Sequence, residues 1–272
     1  MVMKLAGIDV DAISVGGMRT CIQLPSFDLA FDMGVCPPKA VHRGTVLFTH
    51  AHVDHMGAVV QHCATRDLLG LKPPTYILPP KNLTAFNDVF TAWRALDHSP
   101  LEHTAIPLAP GETHAIKKGF RVQPFRSVHT VISQGYILHH RRQKLKPEYQ
   151  HLTGPEIGAA RARGEQITDE VDHPAVAFTG DTRIDVLDHH PELYHVNLLI
   201  MEVTFFGDQI TVAQARRRGH IHLNEVAARA ERFQNAALLL THRSARHSLK
   251  QAEEEVRRML PAELCERVTL LP

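Results

Sequence analysis

The sequence predicts a layered α/β protein. Short runs rich in Val, Ile, Leu and Phe alternate with stretches of amphipathic, helical period. Polar residues of the kind that bind metals stand just beyond several of those runs. No low-complexity linker and no fixed-period repeat divides the 272 residues, so one unit spanning 1–272 is expected. Hydrophobic residues make up 44% and charged residues 22%, which excludes a disordered chain, a collagen and a coiled-coil rod.

In chain order, strands are expected at 21–24 (CIQL), 29–32 (LAFD) and 45–49 (TVLFT). A helix at 56–69 follows, where Met56, Val59, Val60 and Cys63 share a face. A strand at 75–78 (TYIL) leads to a helix at 82–95, whose Leu83, Phe86, Phe90 and Trp93 repeat at helical spacing. Strands at 120–127 and 134–139 come next, then a short helix at 155–163. The apolar runs AVAFT at 175–179, LLIMEV at 198–203, ALLLT at 237–241 and VTLL at 268–271 are further strands. Helices at 223–233 and 249–258 separate the last three. The stretch 139–172 is mostly polar, shows little strand signal, and reads as an insertion or arm.

Lys and Arg number 30 against 29 Asp and Glu, so any binding of nucleic acid must come from local patches. Four isolated cysteines, Cys21, Cys36, Cys63 and Cys265, form no Cys-x-x-Cys pair, which argues against a thiolate zinc knuckle or a redox pair. The first residues carry acids where a signal peptide has an apolar centre, and no apolar run approaches 18 residues. A reduced, cytoplasmic protein with no membrane span is expected.

Histidine is the unusual residue, at 20 of 272. Its densest string is Thr49-His50-Ala51-His52-Val53-Asp54-His55, directly after an apolar run. In an extended segment His50, His52 and Asp54 project to one side, and His55 follows as the chain enters a helix. Imidazole with carboxylate suits zinc, and manganese or iron also fit. Further ligand types end other strands: His129 after 122–128, Asp181 in FTGD, Glu202 in LLIME and His242 in LLLTH. Strand ends in layered α/β proteins gather along one sheet edge, where sites are built.

The HxHxDH string, a strand-end His, GDT and a final strand-end His resemble the metallo-β-lactamase fold. SQGY at 133–136, FTGDTR at 178–183, MEVTF at 201–205, GHIH at 219–222 and THRSAR at 241–246 narrow the resemblance to ribonuclease Z, in its short plant-type form. It runs from FDMG at 31–34 to beyond Arg246.

The resemblance implies an αββα sandwich that cuts precursor tRNA at its 3′ end. It implies two zinc ions, one on His50, His52 and His129, the other on Asp54, His55 and His242, with Asp181 bridging. Two metals about 3.5–4 Å apart can clamp the attacking and leaving oxygens of a phosphodiester and acidify a water between them. Asp54 would orient or deprotonate that water. His220, held by Glu202, would protonate the leaving oxygen; His222 is a second candidate. Ser244 and Arg246 would contact phosphate, and Asp32 would orient a metal ligand.

The family places a tRNA-gripping arm between His129 and Asp181. Residues 139–163 carry Arg141, Arg142, Lys144, Lys146, Arg161 and Arg163 against Glu148 and Glu156. A second basic cluster, Arg216-Arg217-Arg218, precedes His220. The family also implies a homodimer. Arg243 and His247 depart from its usual aromatic residues, and they bear on the fit of the RNA 3′ end. The competing reading is a hydrolase of the same fold acting on a small phosphodiester, thioester or lactone.

Overall fold

The structure is a computed structural model describing residues 2–272. Among these residues, fourteen strands form two seven-stranded sheets, each with its strands in sequence order. The first holds β1 (Val2–Leu5), β2 (Ile8–Val15), β3 (Arg19–Leu24), β4 (Leu29–Phe31), β5 (Thr45–Leu47), β6 (Thr75–Leu78) and β7 (Thr104–Pro107). The second holds β8 (His114–Lys117), β9 (Phe120–Arg126), β10 (Gln134–Leu145), β11 (Thr168–Phe178), β12 (Leu198–Glu202), β13 (Ala237–Thr241) and β14 (Val268–Leu270). Each sheet begins antiparallel and ends parallel: β1 to β4 pair antiparallel and β4 to β7 parallel, then β8 to β11 antiparallel and β11 to β14 parallel.

Three apolar layers hold four layers of structure together. The central layer joins the two sheets, with Leu24, Leu29, Phe31 and Ile77 from the first meeting Tyr136, Leu138, Phe178 and Ile200 from the second. The outer face of the first sheet packs through Phe48 and Tyr76 on α2 (Val59–Leu68) and α3 (Leu83–Asp97). The outer face of the second packs through Leu199, Met201 and Leu238 on α5 (Val186–His189), α7 (Leu223–Ala227), α8 (Leu249–Met259) and α9 (Ala262–Cys265). This is the αββα sandwich. Side chains along a strand alternate between the two faces, and because both faces are covered in the body of the sandwich the strands there read as continuous apolar runs.

Several elements differ from the sequence expectation. The helix expected at 56–69 is two pieces, α1 (Val53–Met56) and α2, separated by Gly57 and Ala58. The helix expected at 223–233 stops at Ala227 and resumes as a 3-10 turn, Ala230–Arg232. Strands β1, β2, β7 and β8 are additions to the sequence expectation. In β2 the acids Asp9 and Asp11 alternate with Ile8 and Val10, a period of two that marks a strand.

The largest difference is at 139–172. Rather than lacking strands, it is mostly a long antiparallel ribbon, with Arg141 opposite Asp172, Gln143 opposite Glu170 and Lys144 opposite Asp169. Its tip carries α4 (Gly154–Ala162), opened by a Thr153–Glu156 capping box. Beyond His140 the ribbon leaves the sandwich, so solvent reaches most of it and the apolar alternation that marks a half-buried strand is missing.

Candidate metal centre

Strand ends deliver the site, as the sequence suggests. Asp32 follows β4, Thr49 and His50 follow β5, His129 follows β9, and Asp181 follows β11. Glu202 closes β12 and His242 follows β13. One expectation needs correcting. The backbone is extended only to His52, and Asp54 and His55 lie in α1. The turn of α1, not strand alternation, swings Asp54 Oδ2 to within 3.3 Å of His242 Nε2. The β4 loop passes so close beneath α1 that a Cβ on Gly34 would lie 1.7 Å from the Asp54 carbonyl oxygen. Asp32 (φ 57°) and His242 (φ 61°) both hold the left-handed conformation, a strained backbone at two site positions.

Four of the five clustered imidazoles have an acceptor on their outer nitrogen. His50 Nδ1 lies 3.0 Å from Thr49 Oγ1, which itself donates to Asp32. His55 Nδ1 donates to Asp32 Oδ2 at 2.8 Å, and His129 Nδ1 to the Gly219 carbonyl at 3.0 Å. His242 Nδ1 lies 3.0 Å from Thr204 Oγ1, whose proton goes to Glu202 Oε2 at 2.6 Å. These partners place each proton on Nδ1 and turn an Nε2 lone pair inward. Asp32 takes the orienting position expected of it, while Thr49, Thr204 and Gly219 are partners the sequence does not reveal. Thr204 stands in the MEVTF string, but nothing in the string says that it bridges Glu202 to His242.

The inward atoms crowd one another. His50 Nε2 is 3.0 Å and His129 Nε2 3.3 Å from the same His52 Nδ1, and His55 Nε2 is 3.3 Å from His242 Nε2. One nitrogen facing two others cannot be satisfied by a single shared proton. Asp181 Oδ1 is buried and accepts no hydrogen bond. Burial and the neighbouring His55 hold His50 well below its usual pKa, so it is neutral. Despite burial, His242 and His55 keep Asp181 well below the usual carboxylate range. Burial also works against charge on Asp54, but His242 and His55 prevail and hold its pKa at about 2. Against its burial, His55 is pushed up by Asp181 and Asp32, which marks its inner face as a place that favours positive charge. His50 neutral and Asp54 and Asp181 ionised are already the ligand forms, and a cation would take the place of the proton that His55 holds, so the donor set fits divalent cations. Ligand atoms of His50, His52, His129 and Asp181 form one group and those of Asp54, His55 and His242 an adjoining one, and Asp181, His220 and His242 form a third that overlaps both.

Beside these groups His220 Nδ1 meets Glu202 Oε1 at 2.9 Å, and its ring stacks on His242 at 5.3 Å. Burial opposes charge on His220, but the Glu202 carboxylate outweighs it and raises the pKa to about 9. His222 is turned away from the cluster. It caps α7, with Nδ1 accepting the Asn224 N–H and Nε2 directed at the Gly207 carbonyl, so both ring nitrogens are engaged away from the cluster.

Residues 25–243 match the Beta-lactamase superfamily domain. A tRNase Z of Arabidopsis thaliana is 40% identical over 261 residues, which is 95% of this chain and 93% of that protein. The chain belongs to the tRNase Z family. Solved structures agree on the fold. YhfI of Bacillus subtilis, a metallo-β-lactamase fold protein, aligns with a TM-score of 0.66 at 16% identity, covering 96% of this chain and 95% of that one. The short form of human tRNase Z aligns at 0.60 and 18%, covering 87% and 93%.

The other residues singled out in the sequence lie around this centre. Ser244 is half-buried and forms a bridge with Gly16, while Arg246 is exposed. Arg243, one of the two departures from the tRNase Z pattern, donates to the His247 carbonyl, so the departures are tied together. The basic clusters fare differently from expectation. Over 139–172 six basic residues face six acidic ones, because Glu165, Asp169, Glu170 and Asp172 follow the basic stretch 139–163. Arg141 pairs with Glu170 at 3.3 Å and Asp172 at 3.7 Å, and Lys146 lies 4.0 Å from Asp169. Arg142 donates to His140 at 3.0 Å, and Lys144 is exposed. Arg216 is held by Glu225 at 2.6 Å, leaving Arg217 and Arg218 outside that pair. The arm is therefore neutral in sum, and its exposed cations sit among acids.

Proposed function

We propose that the chain is a metal-dependent endoribonuclease that cuts precursor tRNA at its 3′ end. The observation that carries this reading is the Glu202–His220 pair beside two adjoining ligand groups, in a chain of the tRNase Z family. His50, His52 and His129 would hold one zinc ion and Asp54, His55 and His242 the other, with Asp181 between them; manganese or iron(II) suit the same donors. Such a pair of ions polarises a phosphodiester and makes a nearby water acidic enough to ionise near neutral pH.

The chain's own residues supply the rest. Asp54, ionised and fixed by the Gly17 N–H at 2.9 Å, orients the attacking water. His220 keeps Nδ1 on Glu202 and carries on Nε2 the proton that the leaving 3′ oxygen needs. Arg246 and Ser244 contact phosphate, and the exposed arm residues Arg142 and Lys144, with Arg141 and Lys146, lie along the tRNA. The whole chain acts as one unit, pairs as a homodimer and works in the cytoplasm. Among the described residues no helix is long and apolar enough to cross a membrane.

The test is cleavage of a 3′-extended precursor tRNA by the zinc-loaded protein, with His50→Ala as control and bis-p-nitrophenyl phosphate in parallel. One cut beside the discriminator nucleotide, lost in the control, establishes the endonuclease. The neutral arm favours one rival, a hydrolase of small phosphodiesters, and turnover of the small diester with the tRNA left whole would select it.

A further inference from the structure

Solvent reaches some large apolar side chains in this molecule, and four of them sit on segments that carry the metal centre. Met18 is 62% exposed, Val53 80%, Val131 42% and Ile132 46%. Val53 lies between His52 and Asp54 in the chain, and Val131 and Ile132 follow His129. Met18 follows Gly17, whose N–H holds Asp54 Oδ2. The loop of Val131 and Ile132 is tied back to the same centre, since Ser133 donates to the Asp181 carbonyl at 3.4 Å and the Gln134 N–H to the Thr49 carbonyl at 3.0 Å. Three separate segments, the β2–β3 turn, the start of α1 and the loop after β9, thus carry exposed apolar side chains next in sequence to residues of the centre. Basic residues stand near the rest of the site in sequence: Arg217 lies shortly before His220 and Arg246 shortly after His242, both exposed and with no acidic partner among the described residues.

A site with exposed apolar groups beside His52 and His129 and exposed cations near His220 and His242 in the chain matches a strand with a charged backbone and flat apolar faces. Unpaired RNA presents both; a duplex hides its base faces in the stack. A second copy of the chain seated on these side chains would stand beside the centre in the place of a polymer. We propose that Met18, Val53, Val131 and Ile132 receive the bases of the unpaired nucleotides 3′ of the cut, the trailer that the enzyme removes. This rests on the reading of the chain as a nuclease of precursor tRNA. The contacts are to base faces and not edges, so trailers of any sequence are accepted.

The decisive variant is Val53→Ser with Ile132→Ser, at exposed positions where Ser costs the fold little. The control is Leu68→Ser with Leu96→Ser, apolar residues 83% and 73% exposed on α2 and α3. Binding of a fluorescein-labelled, unstructured ten-nucleotide RNA is measured by anisotropy. Steady-state kinetics compare precursors with ten-nucleotide and one-nucleotide trailers, alongside bis-p-nitrophenyl phosphate. The rim variant is expected to bind the oligonucleotide about fivefold or more weakly, and to raise KM for the long trailer in the same proportion with kcat unchanged. The one-nucleotide trailer, the small diester and the control variant should show no change.

Oligonucleotide binding within about twofold of wild type, or an equal loss on the small diester, would overturn the proposal. So would sedimentation showing that the rim variant has fallen from dimer to monomer, which would assign these side chains to a second copy. If wild type binds the oligonucleotide through the rim yet leaves precursor tRNA whole, the reading of the substrate fails and the site for unpaired RNA stands.

Discussion

At the metal centre, ligand types converge on one another and few of their polar atoms are left to water; on the arm, equal numbers of acids and bases share one ribbon and its tip and stay largely exposed, with Arg141 opposite Asp172 and Lys144 opposite Asp169. The centre is tied together by segments up to 228 residues apart, whereas the arm is a single ribbon whose partners are near in sequence. Burial makes the difference consequential. Buried polar groups must find partners or bind a cation, so each substitution there is costly. Exposed ion pairs are worth about 0–1 kcal/mol, so the arm can trade residues freely.

The largest effects should therefore fall at the centre. Chelation of the metals, or His50→Ala, is expected to lower kcat/KM for precursor tRNA on the order of 10³-fold, with zinc restoring the chelated wild type but not the variant. His220→Ala should cost about 10²–10⁴-fold on RNA. On bis-p-nitrophenyl phosphate, whose leaving group needs no proton, the loss should stay below about tenfold. An equal loss on both substrates would mean that His220 serves the metals and not the leaving group.

Asp32→Asn keeps the shape but weakens the hold on His55 and Thr49. Metal affinity, read by competition with a chromogenic chelator, should fall about 10–100-fold. The pH profile gives a subtler separation. His220 is raised from 6.5 to about 9 by Glu202, so it keeps its proton through neutral pH and loses it as the pH rises through the folded value. Activity should fall on that alkaline limb, and the stability which the pair contributes, full below 6.5, should fade over the same interval. In Glu202→Gln the limb should move toward lower pH; a limb that stays in place would assign it to another group.

The smallest effects belong to the arm. Arg142→Glu with Lys144→Glu should change KM for precursor tRNA by about threefold or less and reduce the salt slope by about one for each phosphate no longer neutralised. A tenfold rise in KM would show that these two cations act apart from their acidic neighbours.

The same contrast explains what can be read from the sequence. Most of the ligand candidates are legible because a metal needs few residue types and strand ends are easy to find: His50, His52, His129, Asp181 and His242 all stand at or just past the end of an apolar run. The Thr49, Thr204 and Gly219 partners are not, since any threonine or carbonyl can accept a proton and only the fold selects which. Between His220 and His222 the sequence has no means to choose; the start of α7 supports His220 by engaging both nitrogens of His222. The arm misleads for a different reason. Its bases end at Arg163, and the acids that neutralise them return on the second strand of the ribbon, which exposure on both faces has stripped of strand signal.

The link between the two ends of the chain has one more consequence. Ser14 Oγ accepts the His242 N–H at 3.1 Å, Gly16 bridges Ser244, and the Gly17 N–H reaches Asp54. During synthesis the HxHxDH string leaves the ribosome early, but the last ligand, His242, emerges 187 residues after His55. Closing contacts of such long range is slow and comes late in folding. A nascent chain therefore carries most of its histidines without a finished centre, and the ligand set closes only once His242 has been made.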